Sequence, residues 1–166
     1  DGQTVLILDP EPNLLYVFTI DLSGHLTYKQ PVSTFESPMN VATSPDGKTV
    51  LIPSLLSSLC GVFRIDSPGN VTRVESSTLP TNGNAAVAFN SDGSNAYVLS
   101  AAGSPDVVYQ LDISAPAYVR YSGISIQTAN YSNMGFYGVG EIVVAPDNTK
   151  LYVGHSDCSE AGTAIT

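Results

Sequence analysis

One phrase recurs through this chain and limits what it can become. It reads "DGQTVLILDP" from Asp1, "SPDGKTVLIP" from Ser44, "NSDGSNAYVLS" from Asn90 and "APDNTKLYVGH" from Ala145. The Asp-Gly element makes a tight turn, because the aspartate bonds to nearby backbone and glycine accepts positive φ. A β-rich run follows each turn, as in "TVLILD", "TVLIPS", "NAYVLS" and "KLYVGH". Asp1, Asp46, Asp92 and Asp147 are separated by 45, 46 and 55 residues, so the last unit carries an insertion. That period belongs to a four-stranded propeller blade, a unit that buries its apolar faces only against its neighbours.

The rest of each unit follows the same logic. A second run ends in aspartate: "LLYVFTID" (Leu14 to Asp21), "GVFRID" (Gly61 to Asp66) and "VVYQLD" (Val107 to Asp112). A third run follows a short turn, and a fourth, such as "MNVATS", "AAVAFN" or "EIVVAP", returns to the next aspartate. Val71-Thr72-Arg73-Val74-Glu75 alternates apolar and polar residues, as a strand with one buried face does. No segment holds a 3.6-residue period; "SLLSSLC" (Ser54 to Cys60) comes nearest and is short. With a as the innermost strand of a blade, the chain reads b-c-d, then a-b-c-d twice, then a-b-c. The expected architecture is therefore all-β, one propeller segment over residues 1–166 of about three and a half four-stranded blades.

Composition narrows the partners. Hydrophobic residues make up 43% of the chain, enough for a packed core, and 13% are charged. Six Lys+Arg stand against 15 Asp+Glu, a formal net charge of -9, which repels nucleic acid and anionic membrane surfaces. No run of 18 apolar residues is present to insert into a membrane. Ser, Thr, Asn, Gly and Tyr must cover much of the surface, which points to an extracellular or cell-surface protein. Asn70-Val71-Thr72 and Asn130-Tyr131-Ser132 are glycosylation sequons, making Asn70 and Asn130 candidate acceptors. The chain opens inside a repeat phrase without an initiator Met or signal peptide, as a processed or excised polypeptide does. Cys60 and Cys158 have no metal-finger spacing, and are bonded to each other, bonded elsewhere or free.

The phrases "SPDGKTVLI", "GVFRIDSPGNVTRV" and "SPMNVATSPDG" resemble the YVTN-type, lactonase-like β-propeller repeat family. The resemblance covers nearly the whole chain. It implies a ring of about seven blades, roughly twice this length. The partners it implies are the remainder of a longer propeller chain or additional copies of this one. Its motif residues are turns and strands, so it speaks to fold more than to chemistry.

Candidate chemistry lies on the face where a propeller gathers its b-c and d-a loops. Glu141 precedes Asp147 by the offset at which Asn40 precedes Asp46, and is expected near the channel mouth. Glu141, Asn40, Asn82 and Asn84 are hard oxygen donors suited to a sugar, a lactone or calcium, although strand-end capping uses the same residue types. Asp9, Glu11 and Asn13 alternate like the start of a calcium loop, but Leu14 and Ile20 stand where that loop needs Gly and Glu. His155 could act as a base oriented by Asp157 or Glu160. Tyr137, in the Gly- and Asn-rich insertion, could stack on a sugar ring or anchor a partner. Tyr16, Phe18, Phe63, Tyr97, Tyr109 and Tyr152 fall in strands and are expected to pack between blades. No nucleophile elbow, zinc-protease helix or phosphate loop is present. The expected function is a secreted or surface binding or structural module whose loops meet a glycan or protein; the alternative is a lactonase-like enzyme acting on a sugar or muconate-type lactone.

Overall fold

A computed structural model of the chain describes residues 2–101, 105–128 and 140–154. The first sheet contains β1 (Thr4–Asp9), β2 (Leu14–Ile20) and β3 (Leu26–Ser33). The second contains β4 (Ala42–Thr43), β5 (Thr49–Pro53), β6 (Leu59–Ser67) and β7 (Asn70–Thr78). The third contains β8 (Asn84–Phe89), β9 (Asn95–Ser100), β10 (Val107–Ala115) and β11 (Tyr118–Gln127). The last contains β12 (Glu141–Val144) and β13 (Leu151–Gly154). Every pairing is antiparallel between strands adjacent in sequence, so each sheet is a meander. This is the b-c-d, a-b-c-d, a-b-c-d, a-b order read from the repeats; the expected further strand lies outside the described residues.

The turns use the chemistry that their sequences predict. Ser44 Oγ and Lys48 N both donate to Asp46 Oδ1, and Gly47 takes φ 68°. Ser94 N donates to Asp92 Oδ1 at 2.8 Å beside Gly93 at φ 75°. In the last sheet Asn148 replaces glycine at φ 59°, a conformation asparagine tolerates, while Thr149 N and Oγ1 donate to Asp147 Oδ1. These hydrogen bonds stabilise the charged form, and the carboxyls of Asp46, Asp92 and Asp147 all sit below the ordinary value of 3.8.

Three apolar clusters join the sheets face to face. Leu15 and Val17 of β2 meet Val50, Ile52, Phe63, Ile65 and Val71 of the second sheet. Leu51, Cys60 and Val62 meet Val87, Val98, Tyr109 and Leu111 of the third. Ala86, Leu99 and Val108 meet Ile142 and Val153 of the last. Because side chains alternate along a strand, residues of one strand serve two neighbouring interfaces: Val50 and Ile52 face the first sheet and Leu51 faces the third. The last approach is close: a Cβ on Gly140 would lie 2.6 Å from Leu99 Cδ2 and 2.7 Å from Gly154 O. Cys60 lies buried in β6 opposite Pro53, where desolvation pushes its thiol up to about 12 and leaves it unreactive. Cys158 lies outside the described residues.

Candidate functional site

The loops at one end of the sheets are tied together by a repeated hydrogen-bond clamp. Ser54 Oγ, at the end of the second sheet's b strand, donates to Glu36 O of the preceding d-a loop. One repeat later, Ser100 Oγ donates to Asn82 O at 2.8 Å. Each clamp holds the carbonyl of a residue whose own side chain is exposed, so Glu36 and Asn82 are presented from matching points of adjacent loops. Counting back from the turn aspartates, Tyr137 is the third residue of this set and lies outside the described residues.

Further bonds lock the second loop to its neighbours. Thr81 Oγ1 lies 2.9 Å from Ser100 Oγ and 3.0 Å from Tyr109 OH. Gly83 N donates to Leu55 O and Leu79 N to Ser58 O, stitching the d-a loop onto the second sheet's b-c loop. Asn84, 0% exposed, donates through Nδ2 to Ser57 O and Thr81 O at 3.1 Å each, while its Oδ1 has no protein partner. Asn84 is therefore a loop clamp, and the expectation that it offers a ligand contact at the surface is corrected. Its short amide bridges two backbone carbonyls from different loops.

Asp9 ends β1, and Glu11 and Asn13 lie in the turn between β1 and β2. Asn13 takes φ 56° and spends Oδ1 on Ser37 N at 2.9 Å, with its backbone O accepting from Thr34 N. Asp9 Oδ1 instead faces Glu11 N at 3.4 Å. Among the described residues no three His, Cys, Asp or Glu side chains gather as a metal would require. Asn40 stays half-buried in the loop before β4, on the same end of the molecule as Asn82.

Glu141 opens β12, the inner strand of the last sheet. Its neighbour Ile142 packs inward against the third sheet, so alternation turns Glu141 and Val143 to the opposite face of the last sheet, where both are exposed. His155 and Asp157 lie outside the described residues, as does Asn130. Asn70 is exposed at the hairpin turn joining β6 and β7. Glu36, Thr81 and Ser100 do not stand out in the sequence, although Ser54 and Ser100 do end equivalent strands, which is the one signal that points to the clamp.

The opposite end carries a cleft of about 270 Å³ lined by Asp46, Asp92, Ser94, Ile113 and Pro116. Its carboxylates are already engaged in their own turns, so the loop end is the better-built candidate site.

No established protein family and no curated protein matches the chain by sequence. Solved structures do match in three dimensions. Hydrazine synthase of Kuenenia stuttgartiensis aligns with TM-score 0.67 and 16% identity over 99% of this chain and 45% of its own. A provisionally named 6-phosphogluconolactonase of Bacteroides uniformis aligns with TM-score 0.65 and 14% identity over 99% and 54%. The periplasmic gluconolactonase of Pseudomonas aeruginosa aligns with TM-score 0.62 and 17% identity over 99% and 53%. The chain thus spans about half the length of the solved chains it matches. At these identities the likeness is one of fold: an all-β arrangement of the propeller type.

Proposed function

We propose that this chain is part of a lactonase-like propeller enzyme that hydrolyses a sugar-type lactone at the clamped loop end. The observation carrying the reading is the fold it shares with gluconolactonase and 6-phosphogluconolactonase chains over nearly its whole length. The clamped loops supply what the chemistry needs. Glu36 takes a proton from water as the oxygen adds to the lactone carbonyl, and returns it to the ring oxygen as the ring C–O bond breaks, giving a hydroxy acid and restoring the carboxylate. Asn82 and Asn40 hydrogen-bond the lactone's oxygens. His155 and Asp157, just beyond β13 in sequence, are the second acid-base pair to examine.

Charge favours an uncharged substrate. With six Lys+Arg and a net charge of -9, the chain offers little to hold a phosphate. Acid release from gluconolactone and from its 6-phosphate by the native protein tests this reading directly. Turnover of the neutral lactone exceeds that of the phosphate ester, and Glu36→Gln abolishes it without changing the melting temperature. If the native protein turns over neither lactone, the reading is wrong.

A second reading, an extracellular binding or assembly module, is favoured by the exposed sequon residue Asn70 on its hairpin turn. A mass loss at the Asn70 peptide on enzymatic deglycosylation of native material, with no lactone turnover, selects it.

A further inference from the structure

One pair of side chains changes character between adjacent repeats. In the second sheet and the loop before it, Phe63 and Phe35 both lie against Gly61, where an added Cβ would stand 3.0 Å from each ring. One repeat later Tyr109, Thr81 and Val107 hold those three positions. Val107 supplies bulk where Gly61 has none, so packing is met by either set. The hydroxyls of Thr81 and Tyr109 are explained instead by what they bond, because a buried phenol costs stability unless its O–H is paired.

The direction of those bonds follows from the protons present. Each hydroxyl has one to give, and a backbone carbonyl can only accept. Ser100 Oγ gives its proton to Asn82 O at 2.8 Å. Its neighbour at 2.9 Å, Thr81 Oγ1, is therefore the donor of that contact, and Thr81 in turn accepts from Tyr109 OH at 3.0 Å. Tyr109 and Ser100 are sealed, 4% and 3% exposed, whereas Thr81 is exposed on the loop beside Asn82. The proton of Thr81 is committed inward, and its oxygen still offers a lone pair. The exposed Glu36 carboxylate on the neighbouring loop also offers only acceptors.

We propose that Thr81 is a specificity-determining acceptor for a ligand hydroxyl, so that the loop end selects an uncharged ring carrying free hydroxyl groups. The proposal rests on the reading of that end as the ligand site. A ring without hydroxyls leaves the Thr81 lone pair and the Glu36 carboxylate with water alone, whereas a polyhydroxylated ring supplies donors for both. The net charge of -9 acts in the same direction, since it disfavours anionic substituents. Phe35 and, in sequence, Phe136 stand at the equivalent place of the neighbouring loops, so the selection belongs to the Asn82 loop.

Turnover of two six-membered lactones, gluconolactone with its ring hydroxyls and δ-valerolactone without them, tests it in the native protein and in a double variant, Thr81→Val with Tyr109→Phe. The double substitution gives an apolar pair like that of the second sheet, strands no phenol, and keeps the melting temperature near the native value. In that variant KM for gluconolactone rises about three- to tenfold with kcat little changed, while δ-valerolactone changes less than about twofold. Thr81→Ser keeps the native KM. An equal change on both lactones overturns the proposal, because Thr81 then only braces its loop, and so does no change on either. Binding of 1,5-anhydroglucitol, which keeps the hydroxyls and cannot be hydrolysed, separates the proposal from the lactonase reading. If the native protein turns over neither lactone, shifts of the Thr81 and Asn82 amide resonances on its addition, lost in the double variant, leave the hydroxyl site standing without the enzyme. Shifts that are absent, or unchanged in the variant, overturn it.

Discussion

Phe63 and Phe18 hold the same place in successive repeats, yet one is sealed between two sheets and the other lies half-buried on an open face. The same contrast separates Ile52 from Ile7 and Leu51 from Tyr152. Strand, turn and side-chain character are alike at each pair; only the neighbouring sheet differs. Burial in this fold is therefore a property of the interface, and similar residues contribute to stability only where a neighbouring sheet covers them.

The largest effect tests that contrast at its centre. Phe63→Ala removes a buried ring and costs about 3–5 kcal/mol in denaturant unfolding. Phe18→Ala in the native protein shows a loss of the same order when its face is covered by a further blade, and less than about 1 kcal/mol when the face stays open to solvent. The two variants together thus place the end face on one side of the comparison or the other.

Next in size is the loop clamp. Asn84→Ala leaves Ser57 O and Thr81 O without their donor and lowers stability by about 1–3 kcal/mol, read as a fall in melting temperature. A neutral result would separate the clamped loops from the core and weaken the case that they form a rigid site.

Smaller still is the acid response of the turns. Asp46, Asp92 and Asp147 have folded-state pKa values below the ordinary 3.8, through the Ser and Thr hydroxyls and backbone amides that bond them. A lowered folded value means the stabilisation is complete above the ordinary value and disappears as pH falls through the folded one. The unfolding midpoint is accordingly flat near neutrality and drops below about pH 4, and Asp46→Asn flattens part of that drop. Least of all, Leu22→Ala on its exposed turn changes stability by less than about 0.5 kcal/mol, the baseline for the other variants.

The strand order was legible because its signals are local. An Asp-Gly turn needs only the side chains within it, and alternation is a property of consecutive residues. The candidate site was less legible for the same reason. Asn84 reads as an open donor until the b-c loop of the previous sheet folds over it and takes its amide. Glu141 shares an offset with Asn40, but the offset alone does not say which face of a two-sided strand will be covered. Asn13 looks like a metal ligand in a run of acidic residues, and becomes a loop brace only when Ser37 arrives from across the sheet.

By itself, then, the sequence determined the repeat, the turn chemistry, the antiparallel meander and the acidic charge that disfavours phosphate partners. Tertiary structure decided which apolar faces are sealed, which polar side chains brace loops and which remain exposed on them. The physical reason is range: turns and alternation are set within a few residues, whereas burial and hydrogen-bond satisfaction depend on segments 20 or more positions away, as in Asn84 to Ser57 and Ser37 to Asn13.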